Sequence, residues 1–138
     1  MSPDRMRVFA FEFQKRYAPM LALLGITPQT SSVRITATEM VARFGPFSAR
    51  SDLDNITCVS ISGPYKPYKA IGARGSFADG GATFGSTTAG GVCMEFRKGI
   101  TALDPTKKFK HKGLTVTVKE REEFAKALRE AAGLPVDS

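Results

Sequence analysis

Between Arg7 and Phe13 apolar and other positions alternate, with Phe9, Phe11 and Phe13 on one side of the chain and Val8, Ala10 and Glu12 on the other. That period of two predicts a half-buried strand. Tyr17, Met20, Leu21 and Leu24 then recur at i, i+3, i+4 and i+7, the spacing of one helical face. Pro19 suits a first turn and Gly25 a stop, so a short N-terminal helix is predicted there. After Thr27-Pro28 short β-rich runs are divided by Gly, Pro, Asp and Asn, at the roughly eight- to twelve-residue spacing of an antiparallel barrel or sandwich. The predicted strands are Ser32 to Ala37, Met40 to Phe44, Phe47 to Arg50, Ile56 to Ser62, Arg74 to Ala78, Ala82 to Phe84, Val92 to Arg97 and Leu114 to Val118.

Turn chemistry divides these strands. Gly45-Pro46, and Asp79-Gly80-Gly81 ahead of Thr83-Phe84, read as strand reversals. Ser51-Asp52-Leu53-Asp54-Asn55 reads as a turn before the Ile56 strand, a stronger reading than Asp52 and Asp54 as a metal-binding or acid–base pair. The glycine-rich run Gly80 to Gly91 reads as hairpins rather than as a phosphate cradle, since no lysine and helix follow it. Lys98 to Gly113 is the longest irregular stretch, a candidate binding loop.

A final helix is predicted from about Val118 to Ala132. Thr117 and Glu120 have the spacing of a capping box, acidic residues crowd the start, Lys126 and Arg129 follow, and Gly133 with Pro135 ends the segment. Phe124, Ala127, Leu128 and Ala131 make its apolar stripe, which should lie against a sheet or plug a barrel end. These elements predict one β-rich α+β domain over residues 1–138, an antiparallel barrel or strongly bent sheet with a short N-terminal helix and a C-terminal capping helix. A helix-grip fold is the alternative.

Composition narrows the chemistry more by exclusion than by choice. With 138 residues and 42% hydrophobic content, the chain is long enough to fold around its own core without a staple. Cys58 and Cys93 lack the paired spacing of a zinc site and the density of a disulfide scaffold, and read as reduced, buried thiols in a cytoplasmic protein. The apolar run Ala18 to Ile26 is too short to span a bilayer and lacks the marks of a signal peptide. The chain has one histidine and none of the HExxH, GxSxG, GxGxxG or P-loop patterns. His111 lies among lysines and reads as a solvated loop residue. No catalytic, cofactor or metal residue is assigned, and a non-enzymatic role is the stronger expectation.

The net charge is +7 and is spread along the chain, which favours anionic partners without choosing among them. Two stretches concentrate it. Lys107, Lys108, Lys110 and Lys112 surround Phe109 and His111, and Lys66, Lys69 and Arg74 interleave with Tyr65 and Tyr68. These seven cations are the candidate anion-binding residues, and the two tyrosines are candidate aromatic contacts for stacking. The partner classes are an anionic ligand, an acidic membrane surface or a protein, with nucleic acid below them.

The runs Arg43-Phe44-Gly45-Pro46-Phe47, Leu53-Asp54-Asn55-Ile56, Gly63-Pro64-Tyr65, Ala70-Ile71-Gly72, Thr83-Phe84-Gly85-Ser86-Thr87, Gly91-Val92-Cys93 and Leu114 to Val118 resemble a group of small uncharacterised actinobacterial proteins, over roughly residues 40 to 132. That group brings no assigned activity and no catalytic residues. The succession of strand, glycine turn, Leu-Asp-x-Ile strand and C-terminal helix is also similar to bacterial pleckstrin-homology-like domains. The functional expectation is a non-catalytic binding or scaffolding module for an anionic ligand or protein partner. The alternatives are a helix-grip ligand-cavity protein, a class that includes enzymes, and a weak nucleic-acid binder.

Overall fold

Phe9 and Phe11 are buried while Val8 and Ala10 face solvent, so the N-terminal alternation is expressed as a strand, β1 (Arg7–Ala10), continued by an isolated bridge from Phe11 to Val118. A computed structural model describes residues 7–64, 71–75, 81–100 and 110–135, with backbone alone at 73–75. After β1 come a one-and-a-half-turn helix, α1 (Ala18–Leu23), and a 3-10 turn at Pro28–Thr30. Three strands follow: β2 (Ser31–Ile35), β3 (Glu39–Phe44) and β4 (Phe47–Asp52). They pair in chain order, β1-β2-β3-β4, as an antiparallel meander. The predicted Gly45-Pro46 reversal joins β3 to β4, with Phe44 opposite Phe47 and Gly45 at φ 59°. A side chain at Gly45 would sit 2.6 Å from Ile26 Cγ1 and 2.8 Å from the Gly25 carbonyl, so this turn requires glycine both for its left-handed backbone and for its space.

The 3-10 turn Leu53–Asn55 leads into the second sheet, matching the turn read from Ser51 to Asn55. Its strands are β5 (Ile56–Ser62), β6 (Gly72–Gly75), β7 (Gly81–Gly85), β8 (Gly91–Ile100) and β9 (His111–Val116), in the order β5-β8-β9-β7-β6. β6 and β7 are antiparallel, as their glycine-marked reversal implied, although residues 76–80 lie outside the described set. The run from Ser86 to Gly90 is no hairpin: β7 pairs in parallel with β9 and β8 lies on the other side of β9, so this segment crosses over. The Lys98–Gly113 stretch also contains more sheet than its composition implied, because β8 extends to Ile100 and β9 begins at His111.

The architecture is thus mixed α+β and strand-rich, with two sheets and a C-terminal helix, α2 (Arg121–Ala132). The described strands form two separate sheets rather than the closed barrel the strand spacing allowed. Between them Phe44 stacks on Phe84 at 5.4 Å and lies 5.0 Å from Phe11, and Met40, Met94, Leu114 and Val116 are fully buried. α2 covers β5 and reaches β1, where Phe124 meets Phe9 edge-on at 5.1 Å. Phe124, Ala127 and Leu128 are buried as their spacing predicted, but Ala131 is exposed and Ala125 takes the fourth buried place. The predicted capping box does not form. Glu120 precedes the helix with no side-chain cap bond, and the Thr117 hydroxyl instead accepts the Ser86 amide at 2.9 Å. At the other end Gly133, at φ 72°, donates to Glu130 O and Leu134 to Arg129 O, which satisfies the last carbonyls of the helix.

Candidate functional site

The pairing of β8 with β9 breaks in one place. Glu95 stands opposite Gly113 and Ile100 opposite His111, so Phe96 to Gly99 face the single residue Lys112. Such a bulge turns side chains out of the regular pleat. Here Phe96 stays buried, and Arg97 and Lys98 stand exposed. Asn55 fixes the displaced backbone: its Oδ1 accepts the Lys98 amide at 2.8 Å and its Nδ2 donates to the Lys98 carbonyl at 2.9 Å. This two-point clamp repeats the pattern of a strand pair, with a side chain in place of a neighbouring strand. Nδ2 also reaches Ser51 Oγ at 3.3 Å, and Ser51 Oγ donates to Asp52 O at 2.9 Å.

The bulge, the end of β4 and the Leu53–Asn55 turn surround an open groove of about 480 Å³. Arg50, Arg97 and Lys98 give it three cations, Asp52 and Asp54 two carboxylates, and Ile100 a small apolar wall. Arg50 is engaged at 3.3 Å by Glu39 on β3, a solvent-screened pair of modest worth. The lining is mixed in sign and rich in donors and acceptors, which suits a small polar ligand carrying both negative charge and hydrogen-bonding groups.

Of the candidate cations read from the sequence, Lys110 and Lys112 are described and exposed. Lys110 lies against Gly99 at the edge of the bulge. Lys112 lines a separate hollow of about 140 Å³ with Cys93, Glu95 and Thr115. Arg74 falls on β6 with only its backbone described, and Tyr65, Lys66, Tyr68, Lys69, Lys107 and Lys108 lie outside the described residues. Arg50, Asn55, Arg97 and Lys98 were not singled out in the sequence. The adjacent Arg97-Lys98-Gly99 triplet was the available signal.

The crossover from β7 to β8 forms a second polar cluster, at the seam between the sheets. Gln14 Oε1 accepts the Thr88 amide at 2.9 Å and the Thr87 and Thr88 hydroxyls at 3.1 Å each. Ser86 Oγ donates to Glu12 O at 2.6 Å, and Arg121 bridges to Glu12 Oε1 at 3.1 Å. The donors that a phosphate would use in this glycine-rich segment are therefore directed at the protein's own oxygens. Cys58 and Cys93 are free and half-buried rather than buried, and Cys58, on β5, is unsuited to nucleophilic work, because desolvation and then the neighbouring Glu95 push its thiol up from the ordinary value. Among the described residues no group of three His, Cys, Asp or Glu side chains is placed to hold a metal ion. Comparison of the chain with protein-family models, curated proteins and solved structures gives no match.

Proposed function

We propose that the protein is a non-catalytic binding module for a small anionic ligand, and that the groove beside the β8 bulge is where it binds. The observation that carries this reading is the Asn55 clamp, which holds the Lys98 backbone at a break in the sheet, so that Lys98 and its neighbour Arg97 line the groove with Arg50. Binding sites gain from cations held on rigid elements, since less order has to be imposed when the ligand arrives. Lys110, against Gly99, adds charge beside the bulge. The aromatic packing of Phe11, Phe44 and Phe84 between the sheets supports a surface site over the internal cavity of a helix-grip protein.

In this reading the domain works as a cytoplasmic scaffold in the manner of pleckstrin-homology-like modules, presenting its site at a sheet end. The β1–β4 meander and the C-terminal helix support that outline, and the parallel β7–β9 pair is its main departure. Titration with inorganic tripolyphosphate tests the site. The R97A/K98A variant is expected to bind about tenfold more weakly with a flatter salt dependence, and N55A is expected to weaken binding while leaving the charges in place. Equal binding by parent and R97A/K98A would refute the assignment. A single-stranded oligonucleotide that bound with losses at Tyr65 and Tyr68 would favour the nucleic-acid alternative.

A further inference from the structure

At α1 the molecule departs from its own rule of burying apolar side chains. Leu21 is fully buried, but Leu23 is 89% exposed, Leu24 57% and Met20 49%. Positions 20, 23 and 24 are related by three and four residues, so they lie on one side of the turn. This exposure is not loose docking. Ile26, directly after the helix, is buried and donates its amide to Leu21 O at 2.9 Å; the Thr30 hydroxyl donates to Gly25 O at 2.9 Å, and the Gly45 amide to Thr30 O at 3.1 Å. Gly45 lies tight against Ile26 and Gly25. The base of the tip is fixed while its crown is apolar and wet.

The chain entering this tip is Lys15-Arg16, both exposed, and from Phe13 to Thr38 there is no Asp or Glu. We propose that α1 is a membrane-docking tip, in which Met20, Leu23 and Leu24 enter the acyl boundary of an anionic bilayer while Lys15 and Arg16 remain among its headgroups. Charge selects the occupant. A purely apolar groove on another protein would cover the leucines and leave Lys15 and Arg16 unused, whereas an anionic bilayer engages both. The contact is peripheral, since no helix among the described residues is long and apolar enough to cross a membrane. It is also independent of the groove, which lies at the far end of β4, roughly 16 Å of strand away from the Gly45-Pro46 turn beside α1.

Co-sedimentation of the full chain with vesicles of phosphatidylcholine, alone or with about 30% phosphatidylserine, tests the proposal. The parent is expected to bind the anionic vesicles and bind the neutral ones poorly. L23S/L24S should reduce binding by about tenfold or more, and K15E/R16E should remove most of its salt sensitivity. L23S/L24S should leave tripolyphosphate binding at the groove unchanged, so failure here is separate from failure of the groove. The chain has no tryptophan, so L23W gives a direct insertion reporter on a folded protein, expected to shift to the blue and to be quenched by brominated acyl chains. The proposal is overturned by a parent that ignores anionic vesicles, by L23S/L24S binding like the parent, or by L23W emission that vesicles leave unchanged. It is equally overturned by a parent dimer that L23S/L24S converts to monomer, which would assign the patch to a second copy of the chain.

Discussion

The two helices reverse the order that their sequences imply. α1 carries Met20, Leu21, Leu23 and Leu24 within its reach and leaves three of the four exposed. α2 is studded with Glu122, Glu123, Lys126 and Glu130, yet it buries Phe124, Ala125, Ala127 and Leu128. Burial follows what a helix meets. Three turns of α2 place an apolar stripe along β5 and β8, and Arg129 Nη2 binds Val59 O on β5 at 2.8 Å. The six residues of α1 bring one side chain inward and spend the remainder outside. The side of α1 that the core does not use is the surface on which the membrane-docking proposal rests.

Substitutions can break or sharpen this contrast. The largest effect is expected at Leu128, where truncation to alanine should cost ~2–5 kcal/mol in chemical denaturation, because the side chain is fully buried under α2. A midpoint equal to the parent's would show that α2 is not docked. Leu21→Ala should cost about 2–3 kcal/mol, since a single buried leucine holds a short segment that can partly collapse around the gap; a null result would mean that α1 is attached only through Ile26 and its hydrogen bonds. Gly133→Ala should cost about 1 kcal/mol through its left-handed backbone alone, because no atom lies within 4 Å of the added methyl. At Leu23, alanine should move stability by less than ~0.5 kcal/mol, and a loss of several times that would place the side chain in a contact the exposed geometry lacks.

The smallest effect is expected from pH at Cys58, on the strand beneath α2. Burial, then Glu95, raises its pKa in the fold. The folded state therefore holds the thiol proton more firmly than the unfolded chain does. The associated stability is fully present below the ordinary thiol pKa and declines as pH rises through the raised one. Alkylation by iodoacetamide at mildly alkaline pH should run slower in the native protein than in the denatured chain, and faster native reaction would contradict the assigned direction.

Local features were legible in the sequence where the residues that cause them are local. Phe9 and Phe11, the glycine at the β3–β4 turn, the limits of β5 and the Gly133 stop each need only a few neighbours. The capping box failed because the Thr117 hydroxyl is claimed by Ser86, 31 residues away. The spacing of Tyr17, Met20, Leu21 and Leu24 identifies α1 and a shared side, but not whether anything lies against that side. The groove was hidden for the same reason: Asn55 looks like a turn residue until its partner, the backbone of Lys98, is brought 43 positions back to it. Charge density points to Lys107–Lys112, of which Lys110 to Lys112 are described, whereas the bulge that carries Arg97 and Lys98 is a matter of register that composition does not reveal.

The meeting of β1 with the end of the chain has a consequence for biosynthesis. Phe9 is covered by Phe124, Phe11 bridges to Val118, and Glu12 pairs with Arg121 across 109 positions. During translation the first strand leaves the ribosome with its phenylalanines uncovered and waits for the residues that shield them to be made. At about 5–20 residues per second that interval lasts several seconds to some tens of seconds. The meander can pair β1 with β2 and bring Phe44 to Phe11 early, but one edge of β1 waits for Val118 and Phe9 stays open until the last helix emerges. A ribosome stalled before α2 should therefore leave a product prone to sticking through Phe9.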